Sequence, residues 1–321
     1  MLSYLVVLLD NTSTSFCHYE TFFDEKKLIP YDSLKDVLFF AMKQNLNVQY
    51  VFPNYSLPTD YLELIESVEN TKIIPVESPY WNSGDIVVIN TVEHFNNSQL
   101  FAERNVVLRI SFKDFIENTL LIANALNYIK RLNIVITNVA VLNEDISEQY
   151  QNQLMIIADK IAKLYSKRRW VEVNLLTDRL RLYSMHNCNA GVETITVAPD
   201  GKFYVCPAFY NVDASDDYGI GKAKYDIGDL SEGVYIVNDY LYKLAHAPIC
   251  KQCDSYHCRR CVWLNRQMTY ELNTPSHQQC VMAHIERNVS RYLLNKLHLL
   301  GIFLDKNIPE VRYLDPICKL L

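Results

Sequence analysis

The sequence predicts an α/β protein in which an open or partial (β/α)6 barrel precedes a small cysteine-rich module. Two observations carry this. From residue 1 to about 176, short apolar, β-branched runs alternate with longer stretches of helical period, and strands separated by helices pack parallel. Downstream, seven of the nine cysteines fall between Cys188 and Cys280.

The elements follow in order. Strands are expected at 4–9, 47–52, 86–90, 106–110, 134–139 and 170–176, and helices at 33–44, 59–69, 93–103, 113–131 and 145–167. The run Lys72-Ile-Ile-Pro-Val76 is either a short extra strand or part of a connection. In the last helix Leu154, Ile157, Ala158, Ile161 and Leu164 recur at helical spacing, a core-facing stripe. Asp145 or Asn143 would cap its start. Six β/α units place the expected site at the C-terminal ends of the strands. A helix over 235–245 is expected to deliver Cys250. Beyond Cys280, Val281, Ile285, Val289, Leu293, Leu297 and Leu300 form a helical apolar stripe that reads as packing.

Composition narrows the function. A chain of 321 residues, 49% hydrophobic, can bury a sizeable core and has the length of two domains. A formal charge of −6 and an isoelectric point near 5.8 argue against a nucleic-acid partner. The one basic run, Lys167-Arg168-Arg169, ends a helix, where cations complement the dipole. The opening run Tyr4-Leu-Val-Val-Leu-Leu9 is broken by Asp10, too short for a signal core or a membrane span, and reads as a buried strand. Cysteines without an export signal imply a reducing cytoplasm and thiols available for metal, rather than a disulfide framework.

The cysteine spacing is specific. Cys188 and Cys206 sit in Cys-x12-Gly-x4-Cys, followed by Cys250-x2-Cys253-x4-Cys258-x2-Cys261 and then Cys280. Two-residue spacers let both sulfurs of a pair turn toward one ion or cluster. Ligand type suits iron–sulfur or zinc, and Cys250, Cys253, Cys258 and Cys261 could close a zinc site unaided, leaving Cys188, Cys206 and Cys280 unused.

This order of cysteines resembles the SPASM domain, the C-terminal extension of radical-SAM peptide maturases that usually holds auxiliary [4Fe–4S] clusters. Ile227-Gly228-Asp229-Leu230 resembles a segment often seen before that cysteine run. The family's run is Cys-x2-Cys-x5-Cys-x3-Cys, so both later gaps here are one residue shorter. The resemblance implies one or two [4Fe–4S] clusters, with zinc as the alternative. It assigns Cys188, Cys206 and Cys261 to a first cluster, with His186 as a candidate extra ligand. Cys250, Cys253, Cys258 and Cys280 go to a second. Arg259 and Arg260 would offset the negative charge of such a group, or else are solvent-facing loop residues.

The same resemblance directs attention to the connection after the first strand. Radical-SAM enzymes carry Cys-x3-Cys-x-aromatic-Cys there. In this chain Cys17 and Tyr19 fall on the middle cysteine and the aromatic position, and Ser13 and Glu20 stand where the outer cysteines would be. The Gly-Gly-Glu-Pro stretch after the second strand is also missing from Val51-Phe-Pro-Asn-Tyr-Ser-Leu-Pro58. Read alone, the loop is an ordinary connection. Upstream of a SPASM-like module it implies a degenerate radical-SAM barrel.

The expected organisation is therefore a degenerate barrel at 1–178, a SPASM-like iron–sulfur domain at 179–285, and a C-terminal helix and tail at 286–321. The opening residues, Tyr4 to Glu20, also resemble the CXXX-repeat peptide maturases. The implied function is a pseudoenzyme component of ribosomal-peptide maturation. It would bind a cysteine-rich precursor peptide or relay electrons beside an active radical-SAM enzyme supplied in trans, in the cytoplasm, with no membrane partner. The alternatives are an enzyme working through an open-site cluster and a zinc-stapled scaffold.

Overall fold

The computed structural model describes residues 2–21, 23–185, 188–211 and 225–302. His186, residues 212–224 and Cys318 lie outside them. The class is the expected one, α/β with a parallel sheet. Strands β1 (Tyr4–Leu8), β2 (Asn47–Val51), β3 (Asn70–Pro75), β4 (Ile86–Ile89), β5 (Asn105–Ile110), β6 (Arg131–Ile136) and β7 (Glu172–Val173) come first. Among them lie helices α1 (Tyr31–Gln44), α2 (Thr59–Glu66), α3 (Phe112–Ala125) and α4 (Glu144–Ser166). Then follow β8 (Thr194–Val197), β9 (Lys202–Tyr204), α5 (Pro207–Tyr210), β10 (Asp226–Asp229), β11 (Gly233–Val234), α6 (Val262–Thr269) and α7 (His277–Leu299).

The chain forms two compact units, Met1–Val88 with Asn189–Lys243, and Ile89–Cys188 with Leu244–Leu321. In the first, β1 lies between parallel partners β2 and β8, in register from Tyr4↔Asn47 and Tyr4↔Thr194. The segment at 72–76 belongs to a true strand, β3, parallel to β2 and β4. Leu5, Val6, Val7 and Leu8, which alternate between the two faces of β1, are all buried, as a strand covered on both faces requires. On the far side of β8 the sheet turns antiparallel through β9 and β10 to β11. Gly201, the glycine of the Cys-x12-Gly-x4-Cys spacing, sits in the β8–β9 turn at φ +81, where a side chain would be strained. Gly228 is more tightly constrained: a Cβ there would meet the Gly233 carbonyl oxygen at 2.0 Å.

In the second unit β5, β6 and β7 are parallel, and α4 packs against both α3 and α7. Asn143 is the cap of α4, its Oδ1 accepting from the Ile146 N–H at 2.9 Å. Leu154, Ile157, Ala158 and Ile161 are wholly buried along that helix. On α7, Ile285, Val289, Leu293 and Leu297 are buried, whereas Leu300 is exposed beyond the helix end.

Four expected elements differ. The helix at 113–131 ends at Ala125, and β6 starts three residues earlier than expected, taking Arg131 from the helix and residues 132–133 from the connection. The register Asn105↔Arg131 and the pairing of Arg131 with Glu172 and Asp178 draw them into the strand. The helix at 93–103 is a 3₁₀ segment, Val92–Phe101, broken at Asn97, where the poor helix formers Asn96, Asn97 and Ser98 cluster. The strand at 170–176 shortens to two residues because the chain turns, with the Thr177 hydroxyl bonding the Val173 backbone. The helix at 235–245 is two short 3₁₀ turns, Asp239–Tyr242 and Leu244–His246.

Candidate metal centre

The cysteine loop of the second unit lines an open cavity of about 360 Å³. Cys250, Cys253, Cys258 and Cys280 all line it, with Arg260 and His284. Their placement follows from local chain geometry. The turn Leu244–His246 runs into Cys250 through Ala247, whose carbonyl accepts the Cys250 N–H at 3.0 Å, and the Cys250 carbonyl in turn accepts the Cys253 N–H at 3.0 Å. Cys258 N–H returns to Ser255 O at 2.9 Å. On the opposite wall α7 begins at the Ser276 cap, whose hydroxyl accepts the Gln279 N–H at 3.1 Å. Cys280 and His284 are one turn apart on this helix and share a face. Met185, Ala247 and Cys250 form a small buried cluster behind the loop.

The remaining cysteines are placed as follows. Cys188 is tied to the same loop, its N–H donating to Arg259 O at 2.7 Å. Cys261 is the residue before α6. Cys206 belongs to the first unit, where it precedes α5 and its carbonyl accepts the Phe209 N–H at 3.1 Å.

The electrostatics are those of an anion site that is expensive to leave bare. Burial pushes the Cys250 thiol up to about 11 and the Cys258 thiol up to about 12, and raises Cys253 as well. Arg260 is buried, in the left-handed region at φ 44. Burial lowers its pKa, and the charges of Cys250, Cys188, Cys258 and Cys261 work in the opposite direction. A buried guanidinium in a thiol-lined pocket fits a bound group that is itself negative. Ser255 Oγ and Gln279 Oε1, both in buried residues that line the cavity, make no protein hydrogen bond. No set of three His, Cys, Asp or Glu among the described residues converges on a single ion. The volume corresponds to roughly twelve waters at ~30 Å³ each, well beyond one metal ion.

The loop is clamped from behind. Asp254 is buried and meets Arg287 at 2.9 Å, Arg291 at 3.0 Å and Arg179 at 3.6 Å. Burial opposes its ionisation, yet the three arginines hold its carboxyl below the usual carboxylate range. His257 serves packing: its Nε2 lies 3.0 Å from Glu286 Oε2, and Glu286 Oε1 accepts the Tyr150 hydroxyl at 2.7 Å. His284 is the residue that sequence reasoning missed. Its signal was present as Cys280-x3-His284 on a predicted helix.

In the first unit the connection after β1 is filled by its own hydrogen bonds. Ser13 is buried, donates to Val51 O at 2.8 Å and accepts the Asp10 N–H at 3.0 Å. Asp10 Oδ1 accepts from both the N–H and the hydroxyl of Thr12. Thr14 N–H reaches Phe52 O at 3.0 Å, so both carbonyls at the end of β2 are engaged by the loop. Tyr19 is buried against Phe16, Cys17 is half-buried, and Glu20 is exposed. Ser13 and Glu20 therefore occupy opposite environments.

Fold and cavity together define an α/β protein with a parallel sheet and a thiol-lined site. No family model matches the chain, and no curated protein matches it. Solved structures do. Polyhistidine-tagged anSMEcpe with bound AdoMet superposes at a TM-score of 0.58 with 13% identity, over 94% of this chain and 96% of that one. Native anSMEcpe with bound AdoMet and Kp18Cys peptide gives 0.57 and 14%, over 93% and 99%. Its complex with Cp18Cys peptide gives 0.55 and 13%, over 92% and 99%. At these identities the likeness is one of fold.

Proposed function

We propose that this chain is a component of a ribosomal-peptide maturation system that binds a precursor peptide and carries an iron–sulfur cluster, without cleaving S-adenosylmethionine itself. The observation that carries the reading is the cavity lined by Cys250, Cys253, Cys258 and Cys280. Four thiolates, a volume larger than one ion and a buried guanidinium fit a [4Fe–4S] group. When bound, such a cluster supplies one-electron transfer. The chain's own contribution is to hold the four sulfurs and to offset negative charge with Arg260.

Similarity of fold to structures solved with AdoMet and peptide supports a peptide as the partner. The loop after β1 supports the pseudoenzyme half of the reading. A cluster that cleaves S-adenosylmethionine would need three thiolates there; the loop has Cys17, a hydrogen-bonded Ser13 and an exposed Glu20. Radical chemistry on the peptide would then come from an intact radical-SAM enzyme acting in trans, in the cytoplasm.

Two measurements test this. Protein purified anaerobically is expected to be brown, with iron and acid-labile sulfide, and stoichiometric zinc without sulfide overturns the cluster. Reconstituted and reduced with S-adenosylmethionine, it is expected to yield no 5′-deoxyadenosine above the buffer control. Product that disappears in Cys17→Ala overturns the pseudoenzyme assignment.

A further inference from the structure

The four sulfurs of the cavity are not equivalent. Cys253 Sγ has two nitrogen neighbours, the Ser255 backbone N–H at 3.4 Å and His284 Nε2 at 3.5 Å. Cys258 takes a backbone donor from Arg260. Backbone donors come with the loop, whereas His284 is a side chain brought from another element. It stands one turn after Cys280 on α7 and lines the same cavity. The helix is held in place against residues 253 and 254, because Arg287 and Arg291 bind the Asp254 carboxylate at 2.9 and 3.0 Å. His284 is thus fixed against Cys253 by two ion pairs on its own helix.

Chemistry assigns the direction of the hydrogen bond. A sulfur bound to metal is a thiolate with no proton to give, so the imidazole must be the donor, through its Nε2–H tautomer. Donation to a ligand sulfur withdraws electron density from the cluster and makes it easier to reduce. On the iron–sulfur reading above, we propose that His284 is a positioning and potential-setting residue for the group held by Cys250, Cys253, Cys258 and Cys280. It acts through the Cys253 sulfur and is not itself a ligand. The order of the cysteines does not assign this role. The cavity does, by placing five candidate donor side chains around a group that needs four.

The test compares the full chain, anaerobically reconstituted, with His284→Phe and His284→Gln. Iron and sulfide are measured first, then the midpoint potential by dye-mediated titration with spectroscopic readout. The expected result is that His284→Phe keeps its iron and sulfide but has a lower midpoint potential. His284→Gln, which retains an N–H donor, is expected to return the potential toward that of the parent chain. Equal potentials in all three overturn the role of His284 and leave the cluster reading intact. Loss of iron in both variants, with a folded far-UV spectrum, also overturns it, because His284 would then be required to hold the metal. Zinc without sulfide in the parent chain overturns the cluster reading itself, and the potential-setting role with it.

Discussion

At the scale of single residues, Asp254 shows how much of this centre lies behind the cysteines. One buried carboxylate faces three guanidinium groups, and Arg179 is wholly buried. Asp254→Ala would remove the carboxylate that faces that buried arginine, and removal of one partner from a buried pair costs roughly 3–5 kcal/mol. Chemical denaturation is expected to show a loss of that order. Arg291→Ala, whose side chain is 32% exposed, is expected to cost much less. Equal losses would mean that the clamp acts through α7 packing and not through the charge at Asp254. For the buried Arg260 the charges of Cys250, Cys188, Cys258 and Cys261 play the part that Asp254 plays for Arg179.

At the scale of elements, the short pairing of β6 with β7, Arg131↔Glu172 and Leu132↔Val173, is reinforced by the Arg131–Glu172 ion pair and by the Asn174 side chain on the Ile134 backbone. Burial raises the pKa of Glu172, but hydrogen bonds from Arg131 and Arg181 outweigh it, and the net shift is downward from 4.5. A carboxyl with a depressed folded pKa stabilises the protein above its unfolded pKa, and that contribution is lost as pH falls through the folded value. Glu172→Gln is expected to lower stability at neutral pH and to flatten this part of the acid limb. Urea melts at neutral pH and at a pH below the ordinary carboxylate range check it. Parallel curves for the two proteins would show that Glu172 is not linked to folding.

At the scale of the molecule, the metal centre is expected to act as a folding element. Ligand binding is coupled to folding where the site requires buried thiolates, and burial alone favours the neutral thiol at Cys250, Cys253 and Cys258. Cys253→Ser is expected to lose metal and to melt at lower temperature than the parent, whereas Cys17→Ala is expected to change neither. Metal analysis with thermal melting reads both. Full metal content in Cys253→Ser would remove it from the ligand set.

What the sequence determined by itself was whatever depends on local pattern. The 3.6-residue stripe from Leu154 to Ile161 produced α4, β-branched runs produced β1, β2 and β4, and the spacing of Cys250, Cys253 and Cys258 marked the loop that lines the cavity, because these signals act between near neighbours. Only the tertiary structure decided the rest. Arg131 left a helical pattern for a strand because it found Glu172 and Asp178 about 40 residues or more away. His257, beside a cysteine, went to Glu286 and Tyr150, while His284, distant from the cysteine run, came to rest 3.5 Å from Cys253. The physical reason is the same in each case. A buried polar group must find a partner, and which partner it finds is set by packing between distant elements: β6 against β7 for Arg131, and α7 against the cysteine loop and α4 for the two histidines, contacts that no short-range pattern encodes.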